Sequence, residues 1–202
     1  MNYVVALGLL ALVGAWVMAV YSKLHHLYEQ TRVAWGHWIA TTSHRNDCLW
    51  DLSMVVASYV QRDDMLPRDL RKWVTNSRRA LDNTSAPPLH GADEQLKNTE
   101  HHLRRLIAHM AQLLGERPLM RESEQLLGLY NAMSVARNHQ TEAGQQYDRA
   151  AHHFNTALHE PLSYLLAPLL GFHQVSLLSS APHRKPHPRQ QPAAGYEKGR
   201  ES

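Results

Sequence analysis

One cysteine, Cys48, and two phenylalanines, Phe154 and Phe172, are all that 202 residues hold of those types. A lone cysteine excludes an intrachain disulfide and any metal site built on paired cysteines. Glycine and proline are sparse where it matters. Between Ala15 and Pro67 the one breaker is Gly36, and most of the ten prolines gather around 87–88 and after 181. Long stretches without breakers favour helix over sheet, and the chain reads as all-α. Residues 3–21 contain no charge at all.

A net excess of either charge is also missing from most of the chain. Residues 181–202 carry Arg184, Lys185, Arg189, Lys198 and Arg200 against Glu197 and Glu201, which accounts for the whole formal net charge of +3. The other 180 residues are neutral, so the pI near 9.1 reports a basic tail. A nucleic-acid-binding domain concentrates its charge on a folded face, so none is expected here.

The run YVVALGLLALVGAWVMAVY, residues 3–21, approaches the ~20 apolar residues a helix needs to cross ~30 Å of hydrocarbon. Tyr3 lies at one end, Trp16 and Tyr21 toward the other, where aromatic rings suit the interface. A cleaved signal peptide is the competing reading, but there is no basic segment before the run, and the helical pattern continues past Ala19. The expectation is an uncleaved single-pass anchor over 1–21. Lys23 and Arg32 follow it, which by the positive-inside rule leans the remainder toward the cytoplasm.

Beyond the anchor, Tyr21, Leu24, Tyr28, Thr31, Trp35, Trp38, Thr42, Arg45, Leu49, Leu52, Val56 and Tyr59 alternate spacings of three and four, the seam of a packed helix. This predicts one rod from the anchor to about Arg62. A second helix is expected over 67–81 and a third from Asp93, its cap, to Leu114, with Leu96, Leu103, Leu106, Ile107, Met110, Leu113 and Leu114 inward. A fourth is expected over 119–159, with Leu126, Tyr130, Met133, Arg137, Gln140, Gly144, Tyr147, Ala151, Phe154 and Leu158 as its seam. Two long helices with facing seams and two shorter ones predict an elongated antiparallel bundle over 22–178. If its order is simple up-down, the turn at 115–118 is expected away from the turn at 63–67. Residues 162–178, broken by Pro168 and Gly171, are too interrupted to span a membrane and should pack on the bundle or dip into the interface. The tail, 179–202, has a disordered composition.

Both seams turn polar at mid-length, with Thr31, Thr42 and Arg45 on one helix and Arg137, Gln140 and Gly144 on the other. Such a layer fixes register or forms a cleft for an anion or a partner. Arg45 is expected to be structural, satisfied by Gln140 or a carbonyl across the seam. Trp35, Trp38 and Trp50 read as core rather than a ligand box.

Two blocks carry a family resemblance. The first comprises Tyr21-Ser22, Ala34-Trp35, His44-Arg45, Asp47, Leu52 and Tyr59. The second is the pair Tyr147-Asp148 and Phe154-Asn155, seven apart, followed by Ala167-Pro168-Leu169-Leu170-Gly171-Phe172. On these motifs the chain resembles the LemA family over about residues 1–175. Where relatives have Ala-Arg-Arg before the first Tyr-Asn pair, this chain has Ala143-Gly144-Gln145, and a Pro-Asn of the first helix is Trp50-Asp51. The resemblance implies a membrane-anchored antiparallel bundle in a bacterial envelope, without defined chemistry. It also implies a domain outside the cytoplasm in many relatives, against the charge asymmetry, so the side stays open.

Fifteen histidines invite a metal reading, through His101-His102 and His109, and His152-His153 and His159. Yet there is no HExxH and no Glu-x-x-His pair, and neighbouring helical residues point about 100° apart. Neither a metal nor another cofactor is expected, nor an enzyme, since no nucleophile arrangement or Gly-rich phosphate loop stands out. The function expected is a non-catalytic tethered bundle of the inner membrane that binds a protein partner. The alternative is a ligand or metal sensor at the polar mid-layer. The lipid bilayer is the one partner implied directly, with anionic lipid a further one through the basic tail.

Overall fold

The computed structural model describes residues 2–60, 64–84, 86–87 and 94–179. Asp63, the expected cap Asp93 and the basic tail lie outside them. The described residues form six helices and no β-strand: α1 Asn2–Val56, α2 Leu66–Asp82, α3 Glu94–Glu116, α4 Pro118–Arg121, α5 Glu124–Leu158 and α6 Pro161–Leu166.

The breaker-free stretch read from the sequence is one helix of 55 residues, ~82 Å long at 1.5 Å per residue. Its first part stands clear of the bundle, with Leu7, Leu10 and Leu12 at least 70% exposed. Its second part packs antiparallel to α5. Lys23 meets Glu160, Arg45 meets Gln140 and Tyr59 meets Ser123, so rising numbers on α1 face falling numbers on α5. α2 returns along α1, with Arg78 on Asp47 and Arg71 on the Met54 sulfur. α3 runs back up beside α2, and Trp73 stacks on His102 with ring centroids 4.0 Å apart.

The order is therefore up, down, up, down, with a correction. In that order the α1–α2 and α3–α4 turns share one end, and Arg117 joins them by donating to the Tyr59 carbonyl and lying 4.0 Å from Asp64. The two turns lie together rather than apart, because helices that alternate in direction put their first and third connections at the same end. A second correction concerns the fourth helix, which is two. Pro118 opens the single turn of α4. Ser123 then adopts an extended conformation, and its hydroxyl accepts from the Leu126 N–H, starting α5 afresh.

The core has two parts. The upper cluster gathers Leu49, Leu52, Val56, Leu70, Val74, Leu103, Met110, Leu126 and Met133 from all the long helices. The lower cluster is aromatic, with Leu24, Trp35, Trp38, Tyr147, Ala151 and Phe154, and only the ends of α2 and α3 reach it, through Ala80, Leu81 and Leu96. There α1 and α5 are closed instead by the segment after α6, whose Val175 is 1% exposed.

Candidate functional site

The polar layer lies between the two clusters. Arg45, 2% exposed, is on the α1 seam where the heptad places it. Its Nη1 donates to Glu100 Oε2 at 2.6 Å and Gln140 Oε1 at 2.9 Å, and its Nη2 to Glu100 Oε1 and Asn46 Oδ1, each at 2.7 Å. Asn46 passes the network to Ser77 of α2 at 2.9 Å. The layer thus ties all four long helices through one guanidinium. Gln140 is the partner expected. Glu100, its main partner, is one the sequence reading missed, although the signal was present. Glu100 follows Leu96 by four and precedes Leu103 by three, which puts a charge on the apolar face of α3 just as Arg45 does on α1.

Burial opposes the ionisation of Glu100 more than any other single cause. The hydrogen bonds and charge of Arg45, with Gln140 and Arg104, together outweigh it and hold the carboxyl below the usual glutamate range. Thr42, also on the seam, is buried but turns its hydroxyl to the Trp38 carbonyl of its own helix at 2.7 Å, and among the described residues it makes no hydrogen bond across the layer. Arg137 is a correction. Ala136 takes the inward position, and Arg137 is exposed.

That displacement puts Arg137 on the rim of a cleft of about 680 Å³ between α3 and α5. Lys97, His101 and Arg104 share the rim. The cleft is lined more deeply by Trp38, Ile107, Glu100 and Arg45, and Leu178 and Ser179 close one end. Gly144 lies close over the Trp38 ring, and a Cβ there would meet its Cδ1 at 3.4 Å. Arg45 Nε is buried and has no hydrogen-bond partner among the described residues. The volume falls in the range of small-molecule and peptide pockets. With Arg45 and Glu100 cancelling each other and Asp148 offsetting one cation, the lining keeps an excess of positive charge from Lys97, Arg104 and Arg137.

The second motif block has a different role. Asn155 uses both ends of its amide on Val175, accepting from the N–H at 3.0 Å and donating to the carbonyl at 2.9 Å. Asp148, which can only accept, takes two N–H groups, Leu178 at 2.7 Å and Ser179 at 3.1 Å. The Tyr147 hydroxyl donates to the Ser176 carbonyl at 2.7 Å. These three residues bind the non-helical strap 173–179 through its backbone, whatever its side chains. Gly171, at φ +78°, turns the chain into the strap, and Phe172 packs against Tyr28, Phe154 and Tyr21. The first block is dispersed. Trp35 contacts Tyr147 and Trp38 in the lower core, Asp47 pairs with Arg78 at the surface, and Tyr59 donates to Ser123 at the start of α5.

Among the described residues, no three side chains of His, Cys, Asp or Glu converge to hold a metal ion. His102 is half-buried with its ring stacked on Trp73, and His101, His109, His152, His153 and His159 are exposed. Cys48 is half-buried, and burial, with Asp51 and Asp47, raises its thiol above the ordinary range. Trp50, expected as core, is half-buried on the upper cluster with Arg78 over its ring.

The model of the LemA family matches residues 34–191. No curated protein and no solved structure matches the chain.

Proposed function

The chain belongs to the LemA family, and from that premise we propose that it is a non-catalytic interaction module, tethered to the bacterial inner membrane by the start of α1. The observation that carries the reading is the cationic cleft over the Arg45 layer, set on a long helix that continues from an apolar, exposed end without a break. Only 11% of the apolar window of α1 is buried, which separates it from the core helix of a globular protein. The rim Lys97, Arg104 and Arg137 suits an acidic segment of a protein partner, steered by charge. The basic residues of 181–202 add contact with anionic lipid if the bundle lies on the cytoplasmic side.

A benzophenone residue at Lys97, on the cleft rim, tests this in cells, with one at the exposed Glu116 as control. A discrete protein adduct from Lys97 alone supports an interaction module using the cleft. Identical patterns from both positions, or none, contradict it. The second reading, a sensor of a small anion or a metal, draws on the buried, unpartnered Arg45 Nε. It predicts that inorganic phosphate or zinc raises the thermal midpoint of the full chain in mild detergent, and that Arg137→Ala removes the effect of phosphate. The anchor has its own check. Protein extracted from membranes should begin at its own N-terminus and resist alkaline carbonate, whereas processing after Ala19 or release by carbonate would refute the tether.

A further inference from the structure

The twelve residues 161–172 carry no charge, and the fold brings them to one place, the base of the bundle. Glu160, just before them, is bonded to Lys23, the first charged residue after the apolar run of α1, at 2.7 Å. Phe172, at their end, returns to Tyr21, the last residue of that run, with ring centroids 5.9 Å apart. The excursion therefore starts and ends at the level where α1 leaves the hydrocarbon on the proposed reading.

Its faces are inverted relative to a surface helix in water. The small residues Ser163 and Ala167 point into the bundle, at 2% and 4% exposure. Three large apolar ones point out, Tyr164 at 65%, Leu165 at 68% and Leu169 at 83%, while Leu166 and Leu170 are half-buried. Elsewhere on the bundle large exposed apolar residues such as Val33, Met54, Leu119 and Val135 are dispersed along different helices, as on any soluble surface. Three within six residues, without a charge among them and beside the end of an apolar helix, make a contiguous patch.

We propose that α6 and the turn after it lie in the membrane interface, with Tyr164, Leu165 and Leu169 inserted among the lipid headgroups and upper acyl chains. The inference rests on the membrane tether argued above and adds a second, monotopic contact. Leucine there removes apolar surface from water, and a tyrosine ring suits the headgroup level. The two contacts, one on α1 and one on the α5–α6 end, would fix the tilt of the bundle and the height of the cleft. Because the contact is apolar, it needs no anionic lipid and is independent of the basic tail.

Spin labels on the full chain test it. In a Cys48→Ser background, single nitroxides are placed at Leu165→Cys, Leu169→Cys, Leu10→Cys in the anchor and Gln145→Cys on the exposed face of α5. The protein is reconstituted into nanodiscs of phosphatidylcholine, and collision with oxygen and with a water-soluble nickel chelate is read by power saturation. The expected result is an oxygen-to-nickel ratio at 165 and 169 several-fold above that at 145, approaching that at 10. If 165 and 169 meet nickel as freely as 145 while 10 stays protected, the tether stands and the interfacial contact is overturned. Protection of 165 and 169 from both reagents, as a second copy covering them would give, also overturns it. Free nickel access at 10 removes the tether and this inference with it.

Discussion

Above the Arg45 layer, four helices surround aliphatic side chains, and the packed backbone is helical, so its interior N–H and C=O groups bond along their own helix. Below it, two helices and a strap surround aromatic rings. A strap has no internal hydrogen-bond ladder, so its N–H and C=O groups, once pressed against a core, need partners from elsewhere. Asn155, Asp148 and Tyr147 are those partners. The difference explains where specific polar residues are needed. Aliphatic residues of about the right size can exchange in the upper half, whereas the lower half requires side chains with the right donors and acceptors at fixed positions.

The comparison breaks most sharply at the layer joining the halves. Arg45→Ala leaves Glu100 buried without its cation and should destabilise the full chain by ~3–5 kcal/mol, read as a shift in the urea midpoint in mild detergent. Replacing both partners, Arg45→Met with Glu100→Leu, should recover most of that loss. A single variant with an unchanged midpoint would mean that the layer does not couple the halves. Asn155→Ala comes next. It orphans both polar groups of Val175 at about 1–3 kcal/mol for a buried group, and it should open 173–179 to limited proteolysis while α2 and α3 keep their resistance. Simultaneous loss of resistance in both halves would show one cooperative unit instead of two.

Acid gives a smaller, graded effect. The Glu100 carboxyl titrates lower in the folded chain than in the unfolded one. Its contribution is therefore complete above the unfolded value of about 4.3 and is lost as pH falls through the folded value. Stability should decline below about pH 4, and Glu100→Gln should start lower and respond less to acid. An identical acid response in the variant would assign the decline to other carboxylates. The smallest expected change is Gly144→Ala. The added Cβ meets Trp38 at ordinary contact distance, so the gain in helix propensity, at most ~1 kcal/mol, should prevail. A loss would show that Trp38 cannot yield.

The rod and its seam were legible because spacing alone decides them. From Leu24 to Val56, every expected α1 seam position is buried or half-buried, although Tyr21 at the base is 41% exposed. The α5 seam failed at Arg137, where a three-or-four alternation does not distinguish Ala136 from its neighbour. Glu100 was missed because α3 carries many charges, and only its position between Leu96 and Leu103 marks it as inward. The purpose of Asp148 and Asn155 was out of reach of periodicity. Their partners are backbone groups of a strap some 20 to 30 residues away, and no sequence pattern announces a contact to a main chain. The cleft is a gap between α3 and α5, and gaps leave no motif.

The claim that the lower half is closed by a strap held through its backbone is tested most directly by amide hydrogen exchange on the full chain in detergent. The amides of Val175 and Leu178, bonded to Asn155 and Asp148, should be protected although they lie outside any helix. They should lose that protection in Asn155→Ala and Asp148→Ala respectively, while Leu70 and Leu103 in the upper core keep theirs. Exchange of Val175 and Leu178 in the unaltered chain at the rate of an unstructured peptide would contradict the account.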